Sequence, residues 1–206
     1  MQNANLRPPS IHHASRVGHM SVRIAERLRL GAKFLKDLAE AVPLHDIGKL
    51  TIPPWILTKR GTLSDYERAL MQTHTLAGAR LLRGTGEPAL ELAAEIAESH
   101  HERWDGHGYP HGLRAREIPL GGRIVAVADV FDALLNERPY KPAWPHEAAV
   151  DEVVANAGSQ FDPEVVEAFL SCVNRVAPAA SGLHRRARLP LAPMRGGSRR
   201  FERLRL

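Results

Sequence analysis

Apolar residues recur along this chain at spacings of three and four, the period of a helix that buries one face. Val17, Met20, Ile24 and Leu28 form one such stripe, predicting a helix over about 11–30 that stops at Gly31. Leu38 and Val42 mark a second over about 33–47, with a kink expected at Pro43. Ser64-Asp65-Tyr66-Glu67 reads as a capping box opening a third, which continues through Leu70 and Leu81 to about Arg83. Pro88 suits the first turn of a fourth helix, running to about His101. A Gly- and Pro-rich connection over 102–122 follows, and a loop of that length in a compact domain is usually functional. The most apolar helix spans 123–135, and two more begin after Pro145 and at Asp162-Pro163. No period-two strand pattern competes, so the expected fold is all-α, about seven helices in one domain over 1–176.

Composition narrows the chemistry. Among 206 residues there is one cysteine, Cys172, which excludes an internal disulfide and a thiolate zinc cage. Any metal site must use His and carboxylates. No long apolar run or secretory leader is evident, which predicts a cytoplasmic protein without a transmembrane segment. The net charge of +5 suggests an anionic partner until its distribution is read. From Arg175 onward there are nine arginines against one acid, Glu202, a balance of +8; residues 1–174 carry 19 basic and 22 acidic residues, a balance of −3. The basic character belongs to a segment over 177–206 that mixes Pro, Gly, Ser and Arg without periodicity and is expected to be a disordered tail. The histidines belong to the other part: ten of eleven lie before residue 147.

Helical position sorts those histidines. His13 lies four residues before Val17 on its apolar stripe, whereas His19 is rotated away. His45 is seven residues after Leu38, His74 four after Leu70, and His100 and His101 each four after Ile96 and Ala97. Asp46 follows His45, and Asp129 interrupts the apolar run Ile124-Val125-Ala126-Val127-Ala128. A buried carboxylate there needs a cation or a proton. Any one of these residues alone is better explained as an ordinary core histidine, a chance His-Asp pair or a helix-end charge. Five inward imidazoles and two aspartates converging from five helices point instead to metal.

Seven ligands exceed the needs of one ion with an open position and suit two ions sharing a carboxylate. Imidazole and carboxylate without sulfur favour iron, manganese or zinc, with iron or manganese expected here. A bridged pair activates water near neutral pH for attack on phosphorus, which implies phosphoester hydrolysis.

The motifs His13-Ala14-Ser15-Arg16-Val17, Leu44-His45-Asp46-Ile47-Gly48-Lys49, His74 with Gly78, and His100-His101-Glu102-Arg103-Trp104-Asp105-Gly106-His107-Gly108-Tyr109-Pro110 occur in that order. Ala128-Asp129-Val130-Phe131-Asp132-Ala133-Leu134, Arg138-Pro139-Tyr140-Lys141 and Phe161-Asp162-Pro163 complete the set. Over about 11–170 the chain resembles an HD-GYP domain, the branch of the HD metal-dependent phosphohydrolases associated with cyclic dinucleotide hydrolysis. The resemblance implies an HD-domain helical bundle with His13, His45, Asp46, His74, His100, His101 and Asp129 as metal ligands, Asp46 bridging. It further implies that Lys49 meets the substrate phosphate or the nucleophile and that Arg138 and Lys141 hold phosphate. Tyr109, in the namesake loop, is implied in substrate binding or in contact with GGDEF-type diguanylate cyclases. Trp104, Arg103 and Asp105 are expected to stabilise that loop. The implied activity is hydrolysis of cyclic di-GMP to pGpG, with slow further cleavage to GMP.

The departures from the family pattern carry expectations of their own. Pro9 stands where members with a third metal supply a carboxylate, so two ions are expected. The usual Thr-Gly-x-His reads Ser10-Ile11-His12-His13, and twelve residues precede the first ligand. With no room expected for a receiver or sensory domain, regulation is expected to come from a partner or from the tail, or to be lost. An alternative is a catalytically impaired HD-GYP protein acting as a cyclic di-GMP receptor or cyclase-binding adaptor. For the arginine tail, attachment to nucleic acid or membrane stands beside a merely solvated appendage.

Overall fold

A computed structural model describes residues 11–137 and 143–173. Within them the chain forms eight α-helices: α1 Ile11–Arg27, α2 Ala32–Ala41, α3 Pro54–Leu57, α4 Asp65–Leu82, α5 Pro88–Ser99, α6 Leu120–Leu135, α7 His146–Ala155 and α8 Pro163–Cys172. Short 3-10 turns lie at Val42–Leu44, Ile47–Thr51 and Ala115–Glu117. No strand occurs among the described residues, where two isolated bridges, Asp105–Arg114 and Ala157–Phe161, are the only β pairing. Pro9, Arg138, Lys141, the 176/177 boundary and the arginine tail lie outside the described residues.

All seven expected helices are present, with corrected limits. α1 ends three residues earlier than read, and α6 begins three earlier, because Pro119 precedes its first turn. The expected second helix does not run to 47. It gives way at Val42 to a 3-10 turn carrying Pro43, and a second 3-10 turn begins after Asp46. Four-residue α3 was not foreseen, being too short to show a period. Leu81, read as inward, is exposed, and the buried positions of α4 include Gly78, Ala79 and Leu82. The capping box of α4 is formed: Ser64 Oγ accepts from Glu67 N–H and Glu67 accepts from Ser64 N–H.

The main core is built by α1, α2, α5, α6, α7 and α8 around Val17, Ile24, Leu38, Ile96, Ile124 and Phe169, all essentially inaccessible to water. A smaller cluster, Ile52, Ile56, Leu63 and Met71, fastens α3 to α4. Two glycine contacts bring the ligand-bearing elements close enough to converge. A Cβ on Gly48 would collide with the His74 carbonyl oxygen and stand 2.5 Å from Gly78 N. A Cβ on Gly122 would strike the Ser99 side chain. Only glycine lets the 3-10 turn after Asp46 lie on α4, and the first turn of α6 lie on the end of α5.

Candidate metal centre

Each predicted ligand reaches the same interior from a different piece of backbone. His13 comes from the first turn of α1, and His45 and Asp46 from the break between the two 3-10 turns. His74 comes from mid-α4, His100 and His101 from the end of α5, and Asp129 from α6. Their ligand atoms fall into two groups, each with all members within 4.8 Å of one another: Asp46, His74, His100 and His101, and His13, His45 and Asp129. His12 and His19, on the same helix as His13, are exposed.

The hydrogen bonds fix which imidazole nitrogen faces inward. His45 Nδ1 lies 2.8 Å from Val42 O, His74 Nδ1 2.6 Å from Met71 O, and His100 Nδ1 3.0 Å from Ile96 O. A carbonyl can only accept, so Nδ1 carries the proton and the Nε2 lone pair is turned to the centre. His13 achieves the same with a side chain: its Nδ1 lies 2.7 Å from Asp132 Oδ2, and Arg16 grips that carboxylate through Nε at 2.5 Å and a terminal nitrogen at 3.0 Å. The inward Nε2 atoms of His45, His74 and His100, and Asp46 Oδ1, are buried without a hydrogen-bond partner. Leaving one such group unsatisfied costs about 1–3 kcal/mol. These four orphaned acceptors, three in one group and His45 in the other, fit bound cations.

Asp46 stands between the groups. Its Oδ1 lies 3.5 Å from His74 Nε2 and 3.8 Å from His100 Nε2, while its Oδ2 lies 3.5 Å from His45 Nε2 and 2.6 Å from Lys49 Nζ. Burial pushes this carboxyl up, but Lys49, His45, His100 and His74 outweigh it and hold Asp46 well below the usual carboxylate range. Burial drives the imidazoles down: His100 to about 3, and His101 well below its ordinary value, with neighbouring histidines adding repulsion. His74 is lowered by burial and by Lys49. Neutral imidazoles and an ionised carboxylate are the protonation states that a divalent ion requires.

Asp129 departs from expectation. Its side chain is 19% exposed and faces His13 Nε2 at 3.4 Å, so it sits at the edge of the centre rather than wholly in the apolar core. Asp132 is the buried carboxylate of that helix. Its support of His13, with that of Arg16, went unread in the sequence. The available signal was spacing, since Asp132 follows Asp129, and Arg16 follows His13, by three residues, nearly one helical turn.

The loop after α5 is fastened to the centre. Buried Glu102 accepts from the backbone N–H of His111 at 2.7 Å and of Leu113 at 3.1 Å. Tyr109 N–H donates to His101 O at 3.2 Å, and the two rings stack with centroids 4.7 Å apart. One face of Tyr109 is therefore covered by His101, a candidate ligand. Arg103 spans Asp105 and Gln160, while Trp104 and Asp105 donate backbone N–H groups to Gln160 O and Ser159 O. Nearby, Arg123 binds Asp162 at 2.6 Å, and Asp162 also caps α8, locking α6 to the start of α8.

The chain has counterparts among known proteins. The HD domain family model matches residues 2–165. A cyclic di-GMP phosphodiesterase of Thermotoga maritima is 52% identical over 158 residues, covering 77% of this chain and 43% of that protein. The cyclic di-GMP phosphodiesterase response regulator RpfG of Xanthomonas campestris is 46% identical over 155 residues, covering 75% of this chain and 41% of that one. The chain thus spans under half the length of these relatives. The crystal structure of a cyclic GMP-AMP specific phosphodiesterase of Vibrio cholerae superposes with a TM-score of 0.60 at 27% identity, covering 81% of this chain and 44% of that one. With its family model matched over most of the sequence, and two His/Asp clusters that can hold divalent metal, the chain belongs to the HD domain family.

Proposed function

We propose that this protein is a metal-dependent phosphodiesterase that opens a cyclic dinucleotide, cyclic di-GMP first among them, to the linear product pGpG. The observation that carries the reading is Asp46, one carboxylate whose two oxygens address two separate groups of ligands. The names of the relatives support cyclic dinucleotides as the substrate class. Two ions are the proposed complement, iron or manganese. His74, His100 and His101 would hold one, His13, His45 and Asp129 the other, with Asp46 between them.

Divalent ions in such a pocket supply an activated water at neutral pH and positive charge for the non-bridging phosphate oxygens. The chain's own residues supply the rest. Lys49, 2.6 Å from Asp46 and partly exposed, places an ammonium at the edge of the centre, where it can meet the phosphate under attack. Tyr109, stacked on His101, stands beside the centre as the proposed contact for the substrate base. Arg138 and Lys141 are proposed to hold the second phosphate, which the metals do not reach. Cleavage to pGpG breaks one P–O3′ bond, leaving a 5′-phosphate and a 3′-hydroxyl. Exposed His107 and His111 rim the same loop and would face a GGDEF-domain cyclase docking there.

The test is anaerobic loading with Fe(II) or Mn(II), elemental analysis, and chromatography of products from cyclic di-GMP and 3′3′-cGAMP. The expected result is pGpG from metal-loaded protein, with Arg138→Ala raising KM more than it lowers kcat. Binding of cyclic di-GMP without turnover of either substrate at full metal content would identify a receptor instead.

A further inference from the structure

We propose that Asp132 is the positioning residue of the outer metal position, the one formed by His13, His45 and Asp129. It fixes the tautomer and direction of His13 and thereby makes that position separable from the inner one. The proposal rests on the two-ion reading above.

Three of the inward histidines are oriented by carbonyls of their own backbone segment, three or four residues earlier. Their geometry comes with the local fold. His13, in the first turn of α1, is met instead from 119 residues away by a carboxylate on α6. Asp132 is buried where it meets both His13 and Arg16. Its partner Arg16 has a side chain 45% exposed, which water could satisfy, whereas the Asp132 side chain is 9% exposed. The desolvated carboxylate is placed where its oxygen meets His13 Nδ1 at 2.7 Å, and Arg16 holds both oxygens so that it cannot turn away. Asn136 Nδ2 donates to the Asp132 carbonyl, bracing the same turn. A carboxylate behind a ligating imidazole fixes its orientation and raises its basicity, and removing such a partner typically weakens metal binding about 10- to 100-fold.

The experiment compares full-length wild type with Asp132→Ala and Asp132→Asn by Mn(II) titration and elemental analysis, alongside circular dichroism. Two ions are expected in wild type. In Asp132→Ala one ion should remain with unchanged affinity while the other binds about 10- to 100-fold more weakly. Asp132→Asn, whose carboxamide oxygen still accepts from Nδ1, should lie between. Two ions bound to Asp132→Ala as tightly as to wild type would overturn the proposal. So would loss of both ions together with helix content in both variants, which would make Asp132 a support of the fold. Nitrogen-15 spectra of metal-free protein give a second readout: His13 should be a single Nδ1–H tautomer in wild type and a mixture in Asp132→Ala. The same tautomer in both would also overturn the role. If wild type binds a single ion, the two-ion reading fails, and the His13 tautomer alone decides the part played by Asp132.

Discussion

The inner and outer halves of the metal centre are built on different principles. In the inner half, His74 and His100 are almost wholly inaccessible, hydrogen-bonded to their own helices, and set against a buried Asp46. In the outer half, His13 and Asp129 keep 15% and 19% of their side-chain exposure, and His13 depends on a carboxylate from another helix. In the inner half the His74 and His100 rings are held by their own backbone segments. The outer half joins one such residue, His45, to a His13 whose direction is set by how α1 docks on α6.

The strongest way to break the comparison is to remove what the halves share. Asp46→Ala should abolish turnover and lower the metal content at both positions; a fully active Asp46→Ala enzyme would contradict the shared carboxylate. Next in size is the contrast between His100→Ala and His13→Ala. The first should lose the more tightly held ion and the second only the more weakly held one, as read by elemental analysis across a chelator series. If the two variants released their ions at the same chelator concentration, the halves would not be distinct.

Gly48→Ala attacks the inner half through the backbone. Its methyl group would meet the His74 carbonyl, so overpacking should cost about 1–3 kcal/mol in urea melts and displace Asp46 from His74. The metal-free protein should also lose stability on acidification. Folded His74, His100 and His101 titrate below the ordinary histidine value, so below about pH 6.5 the unfolded chain binds more protons than the folded one. Stability should therefore fall as pH drops from about 6.5 towards 4, by up to about 1.4 kcal/mol per unit for each group, and stay flat with respect to them above pH 7. A metal-free urea midpoint that did not move between pH 7 and pH 5 would contradict their burial as neutral imidazoles. The smallest effect belongs outside both halves: Ser64→Ala should remove about 1 kcal/mol through the α4 cap and leave metal content unchanged.

Much of this was legible in the sequence, and what escaped did so for physical reasons. Helix existence followed from periodicity, and the inward histidines from the same stripes. The break at Val42–Leu44 was marked by Pro43, but a kink was read where the chain changes to 3-10 geometry twice. The stripe misplaced Leu81 because it lies at the solvent-facing end of α4, where its neighbour Leu82 takes the buried place. Asp132 and Glu102 were invisible as supports. Each is an ordinary carboxylate in a motif, and its role lies in a partner that only the tertiary fold supplies, His13 for one and the His111 and Leu113 amides for the other.

The grip of α1 on Asp132 has a mechanical side. His13 and Arg16 both end on one carboxylate, at 2.7 and 2.5 Å, and a helix advances about 1.5 Å per residue along its axis. A slip of α1 by a single residue would break both bonds at once while leaving the carbonyl-held histidines of the inner half untouched. The register of α1 against α6 and the direction of the His13 ring are thus one coordinate: neither can shift without the other.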